Sequence, residues 1–263
     1  MKGPSFDFFI SLISGIFVCL VVLPMMALFT TTSVVELVEQ FRSSVILSAV
    51  VISFETSLIV VLLACCLGIP VAYLLAMKDF KGKAILDTLV DLPISIPPLV
   101  AGLALLILLG GNSRLGGILS NNGIELIFSK KGIIIAQLFV STPFLIKSAR
   151  EAFESINKNV ISASLVLGAS KFYTFQKVML PLAKNGIYAG MVMTWARALG
   201  EFGATSMVAG CIPFRTETMT IAIYQNAMSG ELTASLAVAL LLTVFSFTLL
   251  LIFKSRAKRR VMP

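Results

Sequence analysis

The chain has 263 residues, of which 57% are apolar and only 13% charged, and its mean hydropathy is +0.98. Soluble domains are about half apolar and about a quarter charged, so this composition indicates a membrane protein. The chain has no histidine, and its four cysteines form no C-x-x-C pair. We therefore expect no metal site, no Ser-His nucleophile and no disulfide framework.

Four charge-free runs of 22 residues exceed the roughly 20 residues that cross a bilayer. They are Phe8–Phe29, Thr56–Met77, Leu92–Ser113 and Leu232–Phe253. Gly132–Ile146 and Asn185–Phe214 are weaker candidates. We predict an all-α, polytopic membrane protein with six transmembrane helices and one domain over residues 1–263. The approximate spans are 8–29, 45–77, 90–110, 132–150, 184–210 and 232–254.

The first span could be mistaken for a signal peptide, because Lys2 precedes an apolar run. However, the apolar region of a signal peptide is about 7–15 residues long, and no cleavage pattern follows. An uncleaved first helix is the better interpretation. After it, Thr30–Arg42 is expected to form a short external segment with one or two amphipathic turns.

The distribution of Lys and Arg predicts the orientation of the chain. With a cytoplasmic N-terminus, fifteen of the 21 lie in cytoplasmic segments, five lie outside and one lies within a span. The positive-inside rule then places both termini in the cytoplasm of a multi-pass protein of the cell membrane. The net charge of +8 is explained by these membrane borders, so the expected partner is the lipid bilayer and not nucleic acid.

The third span opens with LPISIPPLVAG, which places Pro93, Pro97 and Pro98 within six residues. Such a run cannot keep regular helical bonding, and broken backbone at membrane depth is tolerated where it is buried or lines a cavity. The alternative is a helix that begins with proline in its first turn. The following loop, Gly110–Lys131, is either a surface for an external partner or a connector.

The fifth span carries small residues and two charges. Gly186 and Gly190 form G-x-x-x-G, which favours close packing of helices, and a dimer axis is one place for such packing. Arg197 and Glu201 are four residues apart and can pair on one helix face. Intramembrane charges are costly, so one interpretation is a gate or path lining, and the other is a structural ion pair. Glu55, near the outer end of the second span, can simply be solvated.

The segment GEFGATSMVAG follows, with glycines among Thr205 and Ser206. Exposed N–H groups and hydroxyls suit an anion pathway, because they can replace hydration without trapping the ion by full charge. Ordinary packing at a helix end is the alternative interpretation.

A basic segment, Lys158–Lys184, connects the fourth and fifth spans and is predicted to be cytoplasmic. Its pattern indicates two short amphipathic helices, separated where Gly168 supplies a positive φ and ended by Pro181. It is either an interfacial amphipathic hairpin or a rigid lever in a partner's groove. No G-x-x-x-x-G-K-[ST] motif and no Asp/Glu/His relay is present, so energy must be supplied by a partner.

The spacing of Gly168, Val178, Leu180 and Pro181 resembles the EAA loop of ABC-importer permeases, which docks into the nucleotide-binding subunit. The family has Glu-Ala-Ala where this chain has Ser162-Ala163-Ser164, so the glutamate is missing. The resemblance implies a coupling loop over residues 158–181. The residues expected to couple to the ATPase are Ala163, Ser164, Leu167, Gly168 and Pro181.

A second resemblance covers roughly Leu58 to Tyr224. The run RALGEFGAT from Arg197, the pattern G-x-I-P-x-R-T-x-T from Gly210, LPISIPPLVAGLALL and G-x-P-x-A-Y from Gly68 are similar to permeases for molybdate, tungstate and sulfate. The resemblance implies a homodimer, two copies of an ABC ATPase subunit that hold ATP and magnesium, and an extracytoplasmic oxyanion-binding protein. The expected path or gate comprises Pro97, Arg197, Glu201, Gly203, Thr205 and Ser206.

We therefore predict the membrane subunit of an ATP-driven importer of a tetrahedral oxyanion, molybdate or tungstate, that works by alternating access. The chain itself is expected to carry no cofactor and no enzymatic activity. A sulfate or thiosulfate importer is the alternative. A secondary anion carrier would need a coupling-ion site in the spans, and only Arg197 and Glu201 offer one. A membrane enzyme lacks catalytic groups, and a passive channel would need no docking loop.

Overall fold

The computed structural model of the chain describes residues 4–31, 38–40 and 42–259. Within these ranges every regular element is a helix, which confirms the all-α fold class. Most of the external turn expected between Thr30 and Arg42, and the last residues of the basic C-terminal segment, lie outside the described residues.

The helices follow one another with short connections. In chain order they are α1 (Pro4–Thr31), α2 (Ser44–Met77), α3 (Lys83–Ser95), α4 (Pro98–Leu109), α5 (Arg114–Asn121), α6 (Lys130–Glu154), α7 (Lys158–Val166), α8 (Lys171–Thr174), a π-helical turn (Phe175–Met179), α9 (Leu180–Leu199), α10 (Gly203–Ala209), α11 (Met219–Met228) and α12 (Leu232–Arg259). Among them α1, α2, α6 and α12 are long and apolar enough to cross a membrane as single helices.

The third predicted span is not one helix. It is the pair α3 and α4, which bend by 111° at Ile96 and Pro97. Pro93 lies inside α3, and Pro98 occupies the first turn of α4, where its missing N–H leaves no bond unmade. The backbone is therefore broken at Ile96 and Pro97, and Pro98 begins a helix as the alternative predicted; that the break lines a path stays a prediction. If the bent pair is one span, the described residues contain five segments that are long and apolar enough to cross a membrane, and the count of six stays a prediction.

The fifth predicted span is also interrupted. The helix α9 ends at Leu199, and α10 begins only at Gly203. The sequence between them contains no proline, so this break has a different cause, which the contacts of Glu201 explain below. Beyond α10, the segment between the fifth and sixth predicted spans contains the helix α11, whose Met219, Ile221 and Ala222 are buried.

The core is built where α2, α6 and α9 pack against one another. One buried cluster lies towards the C-terminal ends of α2 and α6 and includes Leu75, Leu145 and Phe153. A second cluster joins the other end of α2 to α9, α11 and α12 and includes Trp195 and Met219. By contrast, nearly all described side chains of α1 are exposed, as expected for a helix surrounded by hydrocarbon.

The glycines of the G-x-x-x-G pattern pack α9 against α6 of the same chain. A Cβ atom on Gly186 would lie 2.4 Å from the Cβ of Ala152, and one on Gly190 would lie 3.0 Å from Leu145. The Ser148 hydroxyl also donates a hydrogen bond of 2.8 Å to the Gly186 carbonyl. These small residues therefore allow close approach between helices within the chain, and not at the dimer axis suggested by the sequence.

Candidate functional site

The two interrupted spans, the third and the fifth, meet through their second helices, α4 and α10. The helix α4 packs on α10, and the contact depends on glycine on both sides. A Cβ atom on Gly102 would lie 2.7 Å from the Cα of Ala204. A Cβ atom on Gly203 would lie 3.1 Å from both the backbone N of Leu99 and the Cβ of Pro98. The break beside Pro97 and the start of α10 are thus brought together, although they are about one hundred residues apart in sequence.

The predicted contact between Arg197 and Glu201 is confirmed. A guanidinium nitrogen of Arg197 lies 2.5 Å from one carboxylate oxygen of Glu201, and the other carboxylate oxygen accepts a hydrogen bond of 2.8 Å from the N–H of Ala204. The Glu201 side chain is 1% exposed, and that of Arg197 is 28% exposed. Glu201 lies beyond the end of α9, so the two residues do not share one continuous helix face as the spacing predicted.

The backbone of Glu201 is also held. Its carbonyl accepts a hydrogen bond of 2.9 Å from the hydroxyl of Thr220 in α11. The side chain satisfies an N–H at the start of α10, and the carbonyl is satisfied from another helix, so the break leaves neither group unpaired. Glu201 therefore acts as a structural brace, since its side chain and its carbonyl hold α9, α10 and α11 together.

The predicted hydroxyl residues of α10 have different environments. The Ser206 hydroxyl donates to the Gly203 carbonyl at 3.1 Å within the same turn. Thr205 is fully buried, and its hydroxyl has no hydrogen-bond partner among the described residues. Gln137 of α6 is likewise 1% exposed, with a side-chain oxygen that has no described partner. Buried polar groups without partners are unusual, and sequence reasoning missed Gln137 because it stands alone in an apolar span.

The loop 158–181 begins as the sequence predicted. The helix α7 starts after Asn157, whose side chain accepts a hydrogen bond of 2.9 Å from the N–H of Asn159. Gly168 has a φ of 90°, which confirms the predicted positive-φ position. At the tip between α7 and α8, Val166 is 86% exposed and Leu167 is 87% exposed. Ala163 is exposed as well, so the tip presents apolar groups outward.

Ser164 has the opposite role from the outward-facing groups of the tip. Its hydroxyl lies 3.0 Å from that of Thr174, which is buried at the end of α8. The hydroxyl of Ser170 accepts a hydrogen bond of 3.1 Å from the N–H of Tyr173 and so caps α8. These two contacts join the halves of the loop into one unit.

The prediction that Pro181 ends the second helix is wrong. The chain passes from α8 through the π-helical turn into α9 without leaving a helical conformation. In that turn the N–H of Leu180 bonds to the carbonyl of Phe175, five residues earlier. The wider turn absorbs the missing N–H of Pro181, which then lies in the first turn of α9, where proline is tolerated. The tip is therefore connected to α9 by continuous helix.

Aromatic side chains anchor this helical connection to the membrane helices. The ring of Phe175 lies 5.0 Å from Tyr73 of α2 and 6.1 Å from Phe153 of α6, measured between centroids. Tyr73 and Phe153 also pack edge to face, with ring centroids 6.0 Å apart. Met179 is buried in the same cluster. The sequence predicts an amphipathic second helix in this loop, but one sequence contains no signal of which side chains Phe175 contacts.

Ion pairs between α3 and α6 form another set that the sequence reasoning missed. Lys147 lies 2.9 Å from Asp91, and Arg150 lies 2.6 Å from Asp87 and 2.7 Å from Glu154. The two aspartates are four residues apart on α3 and the two basic residues are three apart on α6, so each pair lies on one helix face, and this spacing was the available signal.

Lys130 also pairs with Glu55 at 2.6 Å, so Glu55 is not simply solvated. Among the described residues, no cluster of three His, Cys, Asp or Glu side chains could hold a metal ion.

Several solved structures share this fold. The chain superposes on a bacterial ABC transporter involved in the import of the acidic polysaccharide alginate with a TM-score of 0.77, at 18% identity, over 98% of this chain and 96% of that one. It superposes on the MetNI methionine ABC transporter in an inward-facing conformation with a TM-score of 0.65, at 19% identity, over 82% and 95% of the two chains.

Curated relatives are closer in sequence. The "Probable transport system permease protein NifC" of Clostridium pasteurianum is 34% identical over 92% of this chain and 85% of its own length. A protein of Haloferax volcanii named as a probable molybdenum ABC transporter permease is 36% identical over 88% and 83%. The sulfate transport system permease protein CysW of Synechococcus elongatus is 40% identical over 70% and 65%.

A family model described as "Binding-protein-dependent transport system inner membrane component" matches residues 68–262. The matched residues include α4 and α10, which follow the two breaks, and the loop 158–181 with its exposed tip. With the relatives and the shared fold, it identifies the chain as a multi-pass permease subunit of an ABC importer, a member of the binding-protein-dependent transport system inner membrane components.

Proposed function

We propose that the chain is the translocating subunit of an ATP-driven importer of a tetrahedral oxyanion, molybdate or tungstate. Two copies would form a homodimer with a central path, with both termini in the cytoplasm. Two ABC ATPase subunits would bind the cytoplasmic side and supply ATP and magnesium, and an extracytoplasmic binding protein would deliver the ion. The chain would perform no bond chemistry.

The exposed tip of the loop 158–181 is the observation that carries the proposal. Val166 and Leu167 are more exposed than any other large apolar side chain among the described residues. Both lie on a segment outside the predicted spans. Exposed apolar groups of this kind are typical of a protein-binding site. Continuous helix from α8 into α9, and the packing of Phe175, would transmit movement of the tip to the membrane helices.

The candidate path would lie along α4 and α10, where both breaks meet. In this proposal Pro97, Gly203, Thr205 and Ser206 line or border the path. Arg197 and Glu201 would hold the broken helix open as a paired brace, which supports the structural interpretation of this ion pair over that of a mobile gate. Alternating access would shift α10 relative to α4, since closely packed elements tend to have discrete arrangements.

The names of the relatives support the oxyanion class without separating its members. The Haloferax relative is named for molybdenum and the Synechococcus relative for sulfate, at similar identity. A sulfate importer is therefore an equally supported second candidate. A secondary carrier has less support, because both carboxylate oxygens of Glu201 already have partners.

Transport by the complete complex tests the proposal. The chain, the ATPase and the binding protein from the same genome would be reconstituted in proteoliposomes, and uptake of radiolabelled molybdate, tungstate and sulfate would be measured. Uptake of molybdate that needs ATP and competes with tungstate, but not with excess sulfate, supports the proposal. Equal competition by sulfate favours the sulfate candidate, and uptake driven by an ion gradient without ATP contradicts the importer.

A further inference from the structure

A second feature of the loop is a cavity of about 360 Å³ between the loop and α2. Its walls are Pro70 and Tyr73 of α2, together with Lys171, Phe172 and Phe175. Four of these five residues are apolar or aromatic, and Lys171 brings the one positive charge. No carboxylate described in the structure lies within ion-pair distance of Lys171. The cavity thus combines an apolar wall with an unneutralised cation.

The cavity continues into an apolar stripe on α2. Leu63, Leu67, Pro70 and Leu74 are spaced by three or four residues and therefore lie on one face of the helix, and all four are exposed. From Leu63 to Leu74 the helix rises about 16 Å at 1.5 Å per residue. That length is about half of the roughly 30 Å of bilayer hydrocarbon, so the stripe matches one leaflet.

This cavity is separate from the surface proposed to bind the ATPase. Tyr173 lines a different cavity, of about 500 Å³, with Ser164 and Leu167 of the tip. Phe172, one residue earlier, is 68% exposed and faces the cavity on the α2 side. Neighbouring residues of α8 thus serve opposite sides of the loop, and only one side continues onto a membrane-spanning helix.

We propose that this cavity binds an anionic phospholipid of the cytoplasmic leaflet. The phosphate would pair with the ammonium group of Lys171, and one acyl chain would lie along the stripe from Leu74 to Leu63. Basic pockets beside transmembrane helices on the cytoplasmic side are suited to anionic headgroups. The site goes beyond the transport proposal, because it assigns a lipid to a part of the loop that contacts α2.

Native mass spectrometry of the full chain in mild detergent tests the site. The probes are phosphatidylglycerol and phosphatidylcholine with identical acyl chains, supplied in equal amounts. We expect phosphatidylglycerol to be retained about fivefold over phosphatidylcholine, the ratio that one lysine near an anionic surface supports. Lys171→Gln should reduce this preference to near parity. Lys177→Gln removes an exposed charge of the adjacent turn outside the cavity and should leave the preference unchanged.

A third variant separates the shape of the cavity from its charge. Phe172→Ala removes an exposed wall and should lower retention of both lipids with little effect on thermal unfolding. The proposal is wrong if Lys171→Gln keeps the preference, or if Lys177→Gln loses it equally. Displacement of the bound lipid by inorganic phosphate would assign the site to a soluble anion instead. Loss of ATPase association alone, with unchanged lipid retention, would assign Lys171 to the coupling surface.

Discussion

The guanidinium of Arg197, in the last turn of α9, lies 2.5 Å from the buried carboxylate of Glu201, which stands beyond the end of that helix. The ion pair therefore connects a helix to the break that follows it. Because the carboxylate also holds the first turn of α10, the arrangement of α10 against α4 depends on a charge that Arg197 neutralises.

Replacement of Arg197 by methionine should destabilise the fold, since it leaves the Glu201 carboxylate buried without its cation. Removing one partner of a buried ion pair costs about 3–5 kcal/mol, and partial exposure of Arg197 places the expected loss near the lower value. Thermal and denaturant unfolding in detergent would measure it. The double variant Arg197→Met with Glu201→Met should recover much of the loss, and a single variant as stable as the parent would contradict the brace.

Charge-free length predicted the long helices because a bilayer imposes it. The described helices α2 and α6 cover the predicted spans 45–77 and 132–150. Gly168 was also predictable, since a turn between two short helices needs a positive φ that glycine adopts without strain. In both cases the local sequence carries the physical constraint.

Other features depend on distant contacts that one sequence does not reveal. The break after Leu199 is stabilised by Ala204, Arg197 and Thr220 around Glu201, and nothing in the local pattern requires it. The helix α11 was missed because polar residues at the ends of the segment resemble a loop. Gly186 indicated close packing but not its partner, because a small residue fits a helix of the same chain or of another copy.

Substitution of Gly168 by valine should uncouple the loop. A β-branched residue at a φ of 90° is strained by about 1–2 kcal/mol, although a Cβ there would meet no atom within 4 Å. We expect loss of ATPase association and transport in pull-down and proteoliposome assays, with the membrane helices still folded. Gly82→Val is a matched control, since Gly82 has a φ of 95° and equally open space but lies in another turn. If both variants transport normally, Gly168 has no coupling role.

Leu167 provides a test of the docking tip that leaves the backbone unchanged. It is 87% exposed, so Leu167→Asp should change the free energy of unfolding by no more than about 0.5 kcal/mol. A charged group buried against an ATPase would instead weaken association by tenfold or more, about 1.4 kcal/mol. Affinity for the purified ATPase would be measured by pull-down or light scattering. Unchanged affinity would show that the apolar tip does not contact the ATPase.

Gly186→Val should force α9 away from α6. A Cβ atom at this position would lie 2.4 Å from the Cβ of Ala152 and 3.1 Å from the Ser148 carbonyl oxygen, so backbone must move. Overpacking of this kind costs about 1–3 kcal/mol, which a lower unfolding temperature in detergent would report. Gly15→Val in α1 meets no atom within 4 Å and should leave stability nearly unchanged. If Gly186→Val instead alters only dimerisation, the glycine faces another copy.

Glu217 lies in the segment between α10 and α11. It is 5% exposed, one carboxylate oxygen has no hydrogen-bond partner among the described residues, and burial raises the pKa of the carboxyl above its ordinary value. The folded chain therefore binds this proton at a pH where the unfolded chain has released it. The free energy of unfolding of the chain should therefore fall as the pH rises from about 4.3, the ordinary pKa of Glu, through the raised pKa of the folded state.

Glu217→Gln should remove that loss, because the amide stays neutral at every pH in this range. At a pH above the raised pKa, the variant is expected to unfold at a higher temperature than the parent. Below about pH 4.3, the ordinary pKa of Glu, the two should unfold at similar temperatures. Unfolding temperatures measured across pH in one detergent would test this. Glu231→Gln changes the net charge identically at an exposed position and should keep the parent's slope. A Glu217→Gln variant with the same slope would show that Glu217 does not titrate with folding.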